Sequence, residues 1–591
     1  MSSKILAVRL PVYATLGLLN VVLLYLLHYA WPHVGFDLSY FLPRMVDVHL
    51  HYLVNGLSIQ WWTPSFGGGL PAFPNPQHTQ FMFAQLLLPL TDPWTAVVLS
   101  ILLPASLGFL LLVKFGLGSL GWPVWPAIIA ALVFATNDFF LIHAFTGHIG
   151  FLSFPCVAIL PFCFHARVPA SLAIAWFALA GAFIIMSGGY TIVIVYGLTA
   201  ALLAPGLALL DARKFPVVRT LQVILAGGIV MTAIAAAKIW AAAAFLQRFP
   251  RAADYSHPAA HWFGAVSSVP AQVFLREPLL FLERSGLLSA ESVFTRLAGA
   301  GVEDAGLSPI ALVLAPLGFV LWLLGLRHKR NLPLVLGLIA AVWVAIEVTL
   351  GRGLLWPRLK PLPLLRSLHE NSRFASAFIL PAALYCGVGA QWIWSRVRSI
   401  PLRGSLAATC VGLTLTALLP FRRAMNDHWF GGFDVTPIQA LWQQIRAGEK
   451  FAPIVQMSLA HDENVFPLRA SSLTPYEPIF GYGYPGRDLK SELRPGPILP
   501  APKSLAANFQ FPPAFYVTST PLREPFAPIA ASHFGELEDF LNRRQPPWPK
   551  PWLQTWANGV TWAGLAAIAC LFAHGAFVRR ATQVAVSPAV S

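Results

Sequence analysis

Residues 10–31 read LPVYATLGLLNVVLLYLLHYAW, with no Asp, Glu, Lys or Arg among them. As a helix rising about 1.5 Å per residue, this run exceeds the roughly 30 Å of a bilayer's hydrocarbon core. Lys4 and Arg9 precede it. It is too long for a signal-peptide core, and no small-residue cleavage site follows it closely, so it is expected to persist as a first transmembrane helix. Comparable runs recur along the chain and predict twelve spans: 10–31, 84–113, 123–144, 149–165, 170–188, 190–210, 218–241, 307–326, 332–350, 373–394, 404–420 and 553–577. Pro89, Asp92 and Pro93 interrupt the second run, which reads as a short interfacial or re-entrant helix followed by the span proper.

The composition agrees. Of 591 residues, 56% are hydrophobic and 11% charged, against about 25% charged in soluble domains. Mean hydropathy is +0.63, which leaves little room for a large soluble enzyme. The net charge of +15 reads as topology rather than nucleic-acid binding. With the N-terminus inside, the inner connections carry Lys114, Arg167, Arg213, Lys214, the Arg327-His328-Lys329-Arg330 cluster, Arg396, Arg398 and Arg403, and the tail carries Arg579 and Arg580. Of the 25 acidic residues only Asp211 falls on that side, as the positive-inside rule requires. Both termini are thus expected in the cytoplasm, in an inner (cytoplasmic) membrane. Cys156, Cys163, Cys386, Cys410 and Cys570 all lie in apolar runs, which suits buried small hydrophobes rather than disulfides or thiolate metal sites.

The expected fold is an all-α polytopic membrane protein. A transmembrane module spans 1–420, a small extracytoplasmic α/β domain spans 421–552, and the final helix and tail span 553–591. The outer face carries the long segments: a first loop (32–83), a middle loop (242–306), a third (351–372) and the 421–552 segment, where Ala452–Ser458 and Phe515–Thr518 read as strands. Long loops on one face are where function concentrates.

The first loop holds most of the candidate chemistry. Asp37 lies about six residues beyond the first span, where partial desolvation favours a carboxylate as a base; it reads equally as a helix N-cap. Asp47, His49, His51 and His78 share the loop, and a His is an alternative base near neutrality. Gly67-Gly68-Gly69 is no P-loop, since no Gly-Lys-Ser/Thr follows; it reads as a tight turn. His-x-His without a carboxylate motif is a weak metal signal, and no cofactor is expected. Cations that could meet a phosphate are Arg276, Lys360, Arg366 and Arg373, the last opening the tenth span. Lys238 and Glu347 sit in apolar runs near outer helix ends and rank second. Phe274 to Leu282 could form an interfacial helix along a lipid tail. The aromatic, Gly-rich run from Tyr476 to Pro485 suits either a sugar-binding loop or a structural turn.

Three features carry a resemblance: an Asp just after the first helix; Gly56-x-x-x-x-Trp61-Trp62-x-Pro64-x-x-Gly67-Gly68; and Leu70-Pro71-x-x-x-Asn75-Pro76 before the second span. Together with Gly147-His148, Ser187-Gly188-Gly189-Tyr190 and Asn371-Ser372-Arg373-Phe374, they resemble the GT-C class of membrane glycosyltransferases, on the side of the YfhO-like bacterial membrane proteins. The resemblance covers roughly 10–420 as topology and 40–50 residues as motif. It implies transfer of a sugar from a polyprenyl-phosphate carrier to a glycan, lipid or protein acceptor at the outer face, usually with inversion. Asp37 takes the place of the family's loop acid, and His148 falls in a matching motif. Many relatives pair that acid with a neighbour; here the next acid is Asp47, ten residues on, so a metal is not implied. Two other classes are a transporter or flippase of lipid-linked glycans and a non-catalytic envelope-assembly protein. A transporter should carry charged or broken helices at mid-membrane, whereas these ionisable residues crowd the outer face.

Overall fold

The computed structural model describes residues 3–29, 31–66, 69–248, 269, 273–274, 306–326, 331–366, 368, 370–419, 422, 428–448, 454, 456–458, 466–472, 534–545 and 550–586. Arg276, Gly67, Gly68, the Tyr476–Pro485 run and Phe515–Thr518 lie outside them.

The chain is a helical, multi-pass membrane protein. Among the described residues, seven helices are long and apolar enough to cross a bilayer, and an eighth crossing forms if Val124–Ala135 and Asp138–Thr146, bent by 42°, act together. All twelve apolar runs of the sequence are helical, but several are too short or too broken to span by length alone. The run at 149–165 is a 3-10 segment, Ile149–Ile159, continued by Leu160–Phe164. Pro155 and Pro161 remove backbone donors there, so a regular α-helix cannot persist. Ala170–Met186, Ala311–Leu326 and Ile400–Thr416 have 16 or 17 residues each. The run at 218–241 divides into Val217–Ile234 and Ala236–Arg248.

The second run divides at its prolines. Phe83–Leu87 is a short helix, and the span Pro93–Phe115 begins afresh. Asp92 caps it by accepting from the Thr95 amide at 3.0 Å, with Pro93 at the first helical position. There its missing N–H costs nothing.

Small residues set the tightest helix contact. A Cβ at Gly318 would fall 1.9 Å from the Tyr385 carbonyl oxygen, and one at Gly389 2.3 Å from that of Leu314. Ala311–Leu326 and Ile379–Arg396 therefore meet backbone to backbone, the way helices associate in lipid.

The first loop folds into a compact cap. The helix Leu38–Asn55 is buried along most of its length. Trp62–Thr63 pairs antiparallel with Leu70–Pro71. Described parts of 421–552 are built onto this cap. Phe433–Asp434 pairs antiparallel with His33–Val34. Thr436–Arg446 buries Ile438, Leu441, Trp442 and Ile445 on one face, and its Gln439 and Trp442 donate to Asp92 and to the Thr91 carbonyl. Ala470–Ser472 lies parallel to Gln456–Ser458 and joins the loop where Ser472 N donates to Ser65 O at 3.1 Å.

Candidate functional site

Asp37 is the residue before the Leu38–Asn55 helix, but it does not cap it through its side chain. Its own amide donates to the Thr146 carbonyl at 3.0 Å, which docks the start of the first loop on the end of the Asp138–Thr146 helix. Two glycines permit that approach. A Cβ at Gly35 would lie 2.2 Å from the Phe145 carbonyl oxygen. Gly147 ends the helix at φ +92°, a conformation L side chains rarely adopt, and a Cβ there would meet Leu38.

The docking brings His148 to Asp37, with Nε2 and Oδ2 2.9 Å apart. The Asp37 side chain is 6% exposed and the His148 side chain 25%. His148 leans on the Phe151 ring, centroids 5.5 Å apart, and His143 stacks on the same ring at 4.0 Å. Arg373 reaches that ring from the 3-10 turn Asn371–Phe378, its guanidinium carbon 5.2 Å from the centroid, and pairs with Glu370. His148 and Arg373, far apart in sequence, thus meet on one phenylalanine, with Asp37 held against His148. The result is a carboxylate–imidazole pair and a guanidinium that reach the same aromatic ring.

The remaining sequence candidates lie elsewhere. Asp47 is buried and fully engaged. Its Oδ2 accepts from Gln60 Nε2 at 2.7 Å and Thr63 Oγ1 at 2.6 Å, and its Oδ1 from Arg543 Nη1 at 2.8 Å and from Ser65 Oγ. Arg543 is buried too, and burial pulls its guanidinium down to about 10 even beside Asp47. Nothing in the sequence flags Arg543; it lies 496 residues from its partner.

His51 bridges Ser58 and Asn55; burial lowers its pKa, against an upward pull from Asp47. His49 sits edge-on to Trp442 at 4.7 Å, lowered by burial and then by Arg446. His78 is wholly buried and hydrogen-bonded to Gln60 at 2.9 Å, and burial followed by the cations around it holds it well below 6.5. Arg44, Asp47, Gln60, Asn75 and His78 surround a cavity of about 20 Å³, on the scale of a single water.

Lys238 donates to the carbonyls of Phe73 and Asn75, both at 2.7 Å. Glu347 accepts from the amides of Leu355 and Trp356. Both thus tie loops to helix ends. Lys360 donates to the Leu368 carbonyl, and Arg366 is exposed. Among the described residues, no three His, Cys, Asp or Glu come together as a metal-binding group.

A separate cleft of about 660 Å³ lies between the first loop and the helices Ala170–Met186 and Trp552–Val586. Leu179, Phe183, Trp562 and Leu565 wall it, and Gln545 and Lys550 stand at its polar side.

No protein-family model and no curated protein matches the chain. Among solved structures, it is similar to the arabinofuranosyltransferase AftD from Mycobacteria, at 14% identity and a TM-score of 0.42 over 76% of this chain. The chain spans 29% of that protein's length.

Proposed function

We propose that this chain is a membrane glycosyltransferase of GT-C type. In this reading it moves a sugar from a polyprenyl-phosphate carrier to an acceptor hydroxyl at the extracytoplasmic face of the inner membrane, with both termini in the cytoplasm and twelve spans in place. The observation that carries the reading is the buried Asp37 carboxylate with His148 at 2.9 Å, and Arg373 on the same aromatic ring as His148, at the ends of apolar helices. Glycosyl transfer from a phosphate needs those groups. The acceptor O–H must lose its proton as oxygen attacks C1, and a base within hydrogen-bond reach takes it. As the C1–O bond breaks, its electron pair leaves on the phosphate, where a fixed guanidinium stabilises the developing charge. The apolar cleft beside Lys550 gives a lipid-linked substrate an apolar wall next to a cation.

The experiment is direct. Purified protein in bilayer nanodiscs is given polyprenyl-phosphate hexose and a membrane extract, and a new glycosylated product is sought. Asp37→Asn keeps the side chain's shape but not its charge, and should lower transfer by about 10²- to 10⁴-fold in a correctly inserted protein. Carrier-lipid translocation without any transfer would favour a flippase and sink this reading.

A further inference from the structure

From the geometry of the pair we infer that His148 Nδ1, rather than Asp37, is the atom that takes the acceptor's proton, and that Asp37 is its positioning residue. The inference rests on the glycosyltransferase reading and divides the labour within its site. An ionised carboxylate has no proton to give, so the 2.9 Å contact requires His148 Nε2 to be the donor. In a neutral imidazole the other nitrogen, Nδ1, then carries the free lone pair. Thr146 Oγ1, 3.5 Å from it, gives its hydrogen to the Ile142 carbonyl at 2.9 Å. Among the described residues, Nδ1 is therefore left as an acceptor with no strong donor on it.

Exposure points the same way. With 6% of its side chain accessible against 25% for His148, Asp37 sits behind the imidazole. An acceptor hydroxyl arriving from outside meets the ring first. The arrangement has the logic of a base oriented by a buried acid: the carboxylate fixes the tautomer and stabilises the imidazolium that forms. The other charged or titratable groups around the ring are His143 on the preceding helix and Arg373 with Glu370 on the Asn371–Phe378 turn. The step balances. The acceptor's proton passes to Nδ1, its oxygen bonds C1, and the C1–O bond to phosphate breaks with its electron pair leaving on the phosphate beside Arg373.

Three variants test this in the transfer assay, once the wild type has been shown to make product; a wild type without product is a failure of the glycosyltransferase reading instead. His148→Gln retains an N–H for Asp37 but has no basic nitrogen, and should lower kcat at least 100-fold with KM within about 3-fold. His148→Ala should be as slow and should regain activity with added imidazole. Asp37→Asn should lower kcat without changing KM, and imidazole should not restore it. Near-wild-type kcat in His148→Gln would overturn the assignment. So would a His148→Ala protein that imidazole does not restore.

Discussion

Arg543→Met is the sharpest structural test, because one side chain joins the 534–545 segment to the first loop. Asp47 and Arg543 are each about 4% exposed at the side chain, with Nη1 2.8 Å from Oδ1. Breaking a buried ion pair from one side costs about 3–5 kcal/mol, since the remaining charge stays buried. Gln60, Thr63 and Ser65 still donate to the Asp47 carboxylate after the change, which puts the expectation near the lower end, about 3 kcal/mol. At 1.4 kcal/mol per decade that is on the order of a 100-fold rise in local opening. Methionine keeps much of the apolar length of arginine, so lost packing is a small part of the effect. The assay is amide hydrogen exchange by mass spectrometry on protein in nanodiscs, following peptides that cover 58–66 and 534–545. Both peptides should speed up together, because Gln545 and Asn55 also tie the two segments. Adding Asp47→Asn should recover part of the loss by removing the stranded charge. Exchange in Arg543→Met within 3-fold of wild type in both peptides would refute the reasoning.

Further outcomes follow from the same geometry. The first loop should loosen as pH falls. Burial depresses His49, His51 and His78 in the fold, so the folded loop favours their neutral forms. Stability is then full above the unfolded value of about 6.5 and is lost as pH drops below it; hydrogen exchange between pH 7.5 and 5 should show this, and His78→Gln should weaken it. Gly35→Ala must displace backbone at Phe145. A shift of that kind at Asp37 should cost roughly 100-fold in transfer while the protein still inserts; unchanged transfer would mean the docking does not set the pair. Cysteines at 330 and 464 should label from opposite sides of the membrane in intact cells, and labelling from one side would refute the proposed topology.

The apolar runs and their helical character were legible from hydropathy alone, because bilayer thickness and backbone hydrogen bonding leave a twenty-residue apolar stretch few alternatives. Asp37 and Arg373 were legible as site candidates because an ionisable residue at a membrane helix end is costly enough to stand out. Helix continuity was less legible: Pro155, Pro161 and the break after Ile234 divide runs that hydropathy averages over. The roles within the first loop were hidden altogether. Asp47 and His51 stood as secondary candidates behind Asp37, and their hydrogen bonds run to Gln60, Thr63, Asn55 and Ser58 in the interior of a cap. The sequence by itself determined a helical, multi-pass membrane protein, since that follows from local composition. Only the tertiary structure decided that His148 meets Asp37, that Arg373 shares Phe151 with His148, and that Arg543 neutralises Asp47. Those contacts join residues about 111, 222 and 496 positions apart, and pairings across such distances are set by how helices and loops dock, here by glycines that let two backbones touch.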